Sequence, residues 1–400
     1  MPWKETKVIE ERIKFIAAVK SGKWCFADLC RDFNISRKTG YKYLKNYESE
    51  GIDGLKDKSR KRITQSNETP EKIVRLIVDL REEHPSWGPK KLRPILKARF
   101  HRLKHIPSET TIGNILRKKG LIKPKKKRPR VPQSLFPFSD VASPNDVWCV
   151  DFKGHFTVGN GHRCDPLTIT DAHSRYLIAC EILSKTNVEQ TKAVFERVFK
   201  EYGLPVAIKS DNGAPFASKA IGGLTSLSIW WLKLGIRPER IQPGKPSQNG
   251  RHERMHRTLK EETALPPRSS LEAQQISFDN FRYEFNHVRP HEALGFLTPA
   301  KEYKRSIREF PKRILEVAYP THIVTDKVHE SGFAQYGAHR VFFGNPFIGE
   351  VVGFEEISDR HCRLYFANAI LGILDLYTSK VLKYQKLLYR IDESECNPCE

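Results

Sequence analysis

The sequence predicts a multidomain protein: all-α helix-turn-helix modules at the N-terminus, a central α/β core on a mixed sheet, and a small all-β barrel at the C-terminus. Three observations predict this. Helix stripes with caps begin at residue 5 and give way, after Gly120, to a basic linker. Strand-like and helix-like stretches then alternate over residues 146–300. Short β-prone runs between glycines and charged turns fill residues 306–390. The expected boundaries are 1–62 and 63–122 for two helical modules, 123–142 for the linker, 143–305 for the core, 306–390 for the barrel and 391–400 for a tail.

In the first module, Phe26–Leu44 has the shape of a helix-turn-helix. Ala27 is small where two helices would cross, Asn34-Ile35 makes the turn, and Ser36 is a suitable N-cap for the second helix. Arg37, Lys38, Lys42 and Lys45 then point outward, where a recognition helix meets the DNA major groove; the bland alternative is a three-helix unit with a solvated basic face. The second module has Thr69 capping and Pro70 opening a helix striped by Ile73, Ile77 and Leu80. A further helix starts after Trp87-Gly88, with Pro94 predicting a kink or an early start. Ser108 caps the third, which turns Ile112, Ile115 and Leu116 inward and ends at Gly120. From Lys118 to Arg130 there are eight Lys/Arg and no acids. Such a run is extended and solvated, and Lys125, Lys126, Lys127 and Arg128 are its candidate phosphate contacts.

In the core, Val147–Phe152, Pro166–Thr170 and Tyr176–Glu181 read as an antiparallel meander with Gly159-Asn160-Gly161 at its first turn. A helix over Asn187–Tyr202 turns Val194, Phe195, Val198 and Phe199 to one side. Val206–Lys209 is a strand, Lys219–Leu234 a helix, Arg240–Gln242 a short strand and Gln248–Glu262 a helix. Ile323–Val328, Arg340–Phe343, Glu350–Phe354, Arg363–Phe366 and Ala369–Leu374 are the barrel strands.

Charge narrows the partner. Lys and Arg number 69 against 47 Asp and Glu, a net +22. A polyanion is the fitting ligand, nucleic acid above all. No long apolar run, secretory leader or lipidation signal is present, so a cytoplasmic, nucleoid-associated protein without a membrane partner is expected. The eight cysteines are scattered and read as free thiols; only Cys396-Asn397-Pro398-Cys399 has metal-ligand spacing, without a second pair.

Three acids stand in distinctive phrases. Asp151 closes Val147-Trp148-Cys149-Val150-Asp151, Asp211 follows a strand in Ser210-Asp211-Asn212-Gly213, and Glu253 lies near the start of a helix in Asn249-Gly250-Arg251-His252-Glu253. Strand and helix carboxylates in a basic chain suggest a divalent-metal site acting on nucleic acid. Mg²⁺ prefers oxygen ligands and keeps several waters. Two such ions, about 4 Å apart, can stabilise the attacking and leaving oxygens of a phosphoryl displacement. Arg257 and Lys260 follow Glu253 by four and seven positions, on the same helical face, where cations would hold DNA phosphates. Asp171 reads as a turn or strand-end anchor, with a fourth metal carboxylate as the sharper alternative. His252 reads as an exposed helix-face residue, or else as an outer group or proton carrier at the site. Trp230 and Trp231 read as core aromatics.

Together with Thr170-Asp171-Ala172-His173-Ser174-Arg175, Pro243-Gly244-Lys245-Pro246-Ser247-Gln248 and Phe285-Asn286-His287-Val288-Arg289-Pro290-His291, these phrases come in an order that resembles the DDE transposases of bacterial insertion sequences, whose catalytic core is of the retroviral-integrase, RNase H-like type. The resemblance runs from the first helix-turn-helix to about residue 300. It implies that Asp151, Asp211 and Glu253 are the catalytic, metal-binding carboxylates. It implies two Mg²⁺ ions, with Mn²⁺ as a substitute, and no nucleotide cofactor. The implied partners are double-stranded DNA, as element ends and target, and further copies of the chain in a dimer or larger assembly. Cleavage and strand transfer are the implied reactions; a catalytically inactive DNA-binding regulator and a same-fold nuclease without joining stay open beside them. Asn286, Arg289, Pro290 and His291 are expected to be mainly structural. The 42 positions from Asp211 to Glu253 exceed the usual integrase spacing, with extra helix in residues 222–232 as the expected cause. Helix-turn-helix units stand where retroviral enzymes have a His-His-Cys-Cys zinc module.

Overall fold

The computed structural model describes residues 8–57, 68–103, 105–122, 141–241, 250–382 and 388–389. They divide into two compact units at Thr69/Pro70. In the first, α1 (Val8–Lys20), α2 (Phe26–Asp32) and α3 (Arg37–Glu50) close on Phe15, Ile16, Leu29, Cys30 and Leu55. Asn34 takes the left-handed conformation (φ 51°) that the turn requires, and Ser36 caps α3 by accepting from Thr39 N. The helices pack closely at Gly40, where a Cβ would stand 2.8 Å from Cys30 Sγ and 3.1 Å from the Phe15 ring.

The second unit opens with α4 (Glu71–Glu83), α5 (Pro89–Arg99) and α6 (Glu109–Lys118) around Ile77, Trp87, Leu92, Leu96, Ile112 and Leu116. Pro70, and not Thr69, occupies the N-cap of α4. With no backbone N–H, proline leaves nothing unpaired at that position. The helix α5 runs through Pro94, its sixth residue, where proline forfeits one backbone bond to the carbonyl four residues back.

The core sheet is assembled from β1 (Val147–Phe152), β2 (Phe156–Thr157), β3 (Arg163–Asp171), β4 (Leu177–Leu183), β5 (Ala207–Ser210) and β6 (Arg237–Arg240). β3 runs antiparallel to β1, β2 and β4, whereas β5 lies parallel to β1 and β6 parallel to β5. This is the expected mixed sheet. One face is covered by α7 (Val188–Tyr202), whose Val194, Phe195, Val198 and Phe199 join Trp148, Val150 and Ile169 in the main core. On the other side α9 (Gly250–Thr263) and α10 (Leu271–Tyr283) pack Met255, Leu259, Phe278 and Phe281 against Leu177 and Cys180. A π-helical turn over Glu284–Val288 follows α10 and sets Asn286 on β4, donating to Leu177 O and accepting from Leu177 N.

The expected helix over Lys219–Leu234 is shorter. Only α8 (Ser226–Lys233) forms, because Gly222 and Gly223 take positive φ (63° and 71°) and break the chain ahead of it. Trp230 and Trp231 face the main core, while Ile229 and Leu232 face a second cluster that includes Phe343, Phe347, Phe354 and Leu364. A helix apolar on all sides is one buried from all sides. The extra residues between Asp211 and Glu253 thus form the seat of the C-terminal sheet.

That sheet comprises β7 (Val324–Lys327), β10 (Val351–Ser358), β11 (His361–Phe366), β12 (Ala369–Asp375), β13 (Lys380–Leu382) and β14 (Leu388–Tyr389), with β8 (Phe333–Tyr336) and β9 (His339–Phe342) as a separate hairpin. The expected barrel does not close: the order β13-β12-β11-β10-β7 ends on two unpaired edges among the described residues. The sheet buries its apolar residues against the α8 region and therefore need not curl on itself.

Candidate active site

Strand alternation decides what Asp151 faces. Trp148 and Val150 point into the main core, so Cys149 and Asp151 point to the opposite face. Across the antiparallel pair Asp151 is matched with Thr168, which shares that face. β1 and β5 run parallel with Cys149 opposite Lys209; continuing the register by two brings Asp151 level with Asp211. Adjacent strands lie about 4.8 Å apart, so both carboxylates sit together at the C-terminal ends of neighbouring strands. Asp211 folds back to accept from Gly213 N at 3.2 Å, and a Cβ at Gly213 would come within 3.0 Å of its carboxylate. Glycine makes that fold possible.

Glu253 is exposed in the first turn of α9, beside a stripe (His252, Met255, His256, Leu259, Thr263) that is buried on the sheet. Both other acids act on the Asp151 charge. Burial first, then the Asp211 and Glu253 carboxylates, push Asp151 up to about 7, against the Phe152 backbone bond and Lys153. Lys153 is itself held below its ordinary value by burial and by Lys260, and raised by Asp151. Lys153 therefore stands beside the half-buried Asp151 carboxyl, with Lys260 close enough to Lys153 to lower it. Lys260 and Arg257 are exposed on α9, as the helical spacing requires.

His252 corrects the exposed-residue expectation. It is 2% exposed, and His256, one turn on, is 6% exposed. Thr168 Oγ1 contacts His252 Nε2 at 2.7 Å and His256 Nε2 at 2.6 Å, and Thr170 Oγ1 contacts His252 Nδ1 at 2.9 Å. Burial lowers His252 to about 3 and drives His256 down further, helped by His252 and Lys153, so both rings are neutral. The sequence held the signal: His252 and His256 share the i, i+3, i+4, i+7 stripe with Met255 and Leu259. Sequence reasoning also passed over Lys153 and Thr168.

Asp171 lies in a separate buried network, accepting from Asn145 N, Ser174 N and Ser174 Oγ, which explains it as a turn anchor. Arg37, Lys38, Lys42 and Lys45 are exposed along α3. Lys125, Lys126, Lys127 and Arg128 of the linker, the Gln248-Asn249 pair and the Cys396–Cys399 motif lie outside the described residues. No helix among the described residues is long and apolar enough to cross a membrane.

Family models described as "Integrase core domain" match residues 141–246 and 234–299. A "Helix-turn-helix domain" model matches residues 11–63 and a "Homeodomain-like domain" model residues 39–116. An uncharacterized protein of insertion element IS407 from Burkholderia multivorans is 24% identical over 233 residues, 58% of this chain and 80% of its own length. Its counterpart in IS476 of Xanthomonas euvesicatoria is 25% identical over 231 residues, 56% of this chain and 62% of that protein. The solved HTLV-2 integrase catalytic core domain in complex with magnesium is 17% identical, covering 40% of this chain and 98% of that one at a TM-score of 0.32. Helix-turn-helix models on its N-terminal helices and integrase core models over 141–299 thus mark the domains this chain carries, and proteins of bacterial insertion elements are among those it is similar to.

Proposed function

We propose that Asp151, Asp211 and Glu253 hold divalent metal ions, Mg²⁺ first and Mn²⁺ as a substitute, and that the chain uses them to cut DNA at the ends of its element and join those ends to a target. The observation that carries this is the lift of the Asp151 carboxyl to about 7 by burial and by the two other acids. Crowded carboxylates of that kind are unfavourable alone and favourable around a cation. The three acids offer oxygen donors, as Mg²⁺ and Mn²⁺ prefer. Bound there, such ions neutralise charge on the attacking and leaving oxygens of an in-line displacement.

The protein's own groups do the rest. Lys153, Arg257 and Lys260 hold phosphate oxygens beside the carboxylates, which orients the backbone for attack. Residues 1–62 and 63–122 select the DNA, with Arg37, Lys38, Lys42 and Lys45 presented to the major groove. The linker over 123–142, including Lys125, Lys126, Lys127 and Arg128, adds sequence-independent affinity, and residues 143–305 carry the chemistry. Cleavage adds water across one P–O3′ bond and leaves a 3′-hydroxyl. Joining forms a new P–O bond as a target P–O3′ bond breaks, with the attacking hydroxyl's proton passing by way of water to the departing 3′-oxygen, so the number of phosphodiesters is unchanged and no nucleotide is consumed. Handling two ends together calls for a dimer or larger assembly on DNA.

Purified protein with labelled element-end DNA and Mg²⁺ tests this. Cut and joined products are expected; cutting alone identifies a nuclease, and binding without cutting identifies a regulator. Asp151→Asn should abolish both steps while end binding stays within about twofold, because Asp151 belongs to the core and not to the recognition modules over 1–62 and 63–122. Loss of end binding in a folded Asp151→Asn protein would sink the assignment.

A further inference from the structure

Thr168 settles the protons of two histidines. Its Oγ1 lies 3.0 Å from the Asp151 carbonyl, 2.7 Å from His252 Nε2 and 2.6 Å from His256 Nε2. A hydroxyl has one hydrogen and two lone pairs. A carbonyl cannot donate, so the Thr168 hydrogen goes to Asp151 O, and both imidazoles donate from Nε2. Each neutral ring is left with its lone pair on Nδ1. That of His252 accepts from the Thr170 hydroxyl at 2.9 Å. That of His256 faces the Asp151 carboxylate, Nδ1 to Oδ2 3.9 Å, too far for a hydrogen bond.

Two donors on one ion stand at most about 4.2 Å apart, twice a metal–ligand distance of about 2.1 Å. The Asp151–His256 gap falls within that limit, and one ligand atom each from Asp151, His252 and His256 lie within 4.8 Å of one another. Glu253 and His256 are three apart on α9, the Glu-x-x-His spacing by which a helix presents a carboxylate and an imidazole to one metal centre. A histidine that ligates through one nitrogen has its other N–H held by an outer partner; Thr168 holds that of His256. We propose that His256 Nδ1 is a ligand of the same divalent ion as Asp151, which makes this a mixed carboxylate–imidazole site. The proposal rests on the reading that Asp151 binds a divalent ion. An imidazole ligand favours transition ions over Mg²⁺, so the site should prefer Mn²⁺ to Mg²⁺ by more than a purely carboxylate site does.

Mn²⁺ alone, added to the full-length protein without DNA, gives a readout independent of catalysis. Electron spin-echo modulation of bound Mn²⁺ should show one directly bound nitrogen, with frequencies that change when the histidines are ¹⁵N-labelled. His256→Gln should remove the nitrogen modulation and weaken Mn²⁺ binding about tenfold, with less effect on Mg²⁺. If His256→Gln does not fold, His252→Gln makes the assignment: the modulation must persist there, and its loss overturns the proposal. Bound Mn²⁺ without nitrogen modulation in the wild type overturns the histidine ligand and leaves the carboxylate site standing. Mn²⁺ binding that is absent, or unchanged in Asp151→Asn, overturns both.

Discussion

Asp151 is held where its own charge is unfavourable, and this has a thermodynamic consequence. Its carboxyl is raised from 3.8 to about 7 in the folded protein. Between those values the native state keeps a proton that the unfolded chain has released. The resulting stability is complete below about pH 4 and is lost as pH rises through 7. A cation must displace that proton, so its stabilising effect grows in the same direction. Thermal unfolding should show this: the Mn²⁺-induced rise in Tm increases from pH 6 to pH 8. At pH 8 in chelator, Asp151→Asn should melt above the wild type, by about 2–4 °C for each kcal/mol of relieved repulsion, and should not respond to Mn²⁺. A lower melting point for the variant in chelator would contradict the electrostatic account. The three acids were legible as residues because each sits in a short phrase. Lys153 was not, because a lone lysine carries no signal until its neighbours in space are known; the helical stripe marks His256 as buried but not what it faces.

At the scale of elements, caps and stripes were read closely. Ser36, Ser108 and Asn187 each accept from a backbone N–H at the start of the next helix. Such local hydrogen bonds depend on residues three positions apart and are visible in a sequence. Close approaches are not. The first module is packed tightly at Gly40, where Phe15 and Cys30 arrive from other helices. Gly40→Ala gains helix propensity of about 0.5–1 kcal/mol and loses about 1–3 kcal/mol to overpacking. The loss should win, and the first thermal transition of the full chain should shift down by several degrees with weaker DNA binding. The break at Gly222-Gly223 escaped for a related reason: glycines inside an apolar stretch are tolerated by a helix pattern, and only the docked C-terminal sheet requires the turn.

Across the whole second unit, the helical module over 70–122 is joined to α9 and the turn after α10 by a polar cluster. Arg289 is 4% exposed, bonds both oxygens of Glu262 on α9 and the Ser86 hydroxyl, and lies 6.0 Å over the Trp87 ring. His84 meets Glu284 at 3.3 Å, and Lys90 pairs with Glu292. This gives the Arg289-Pro290-His291 phrase a structural role that ties module to core. Arg289→Ala removes one partner of a largely buried ion pair, at a cost of about 3 kcal/mol. Hydrogen exchange should quicken in residues 84–91 and 284–292 while the Leu92–Leu116 interior of the module stays protected. Unchanged exchange at both segments would show that apolar packing alone makes the joint.

By itself the sequence determined the helical modules, the order of the core strands, the three acids and the basic character suited to DNA, because each rests on local periodicity, short phrases or a sum of charges. The tertiary structure alone decided the buried histidine pair beneath Asp151, the lysine beside it, and the open C-terminal sheet seated on α8. Those features arise where residues far apart in the chain share one small volume, and distance in space is the quantity that a linear pattern does not carry.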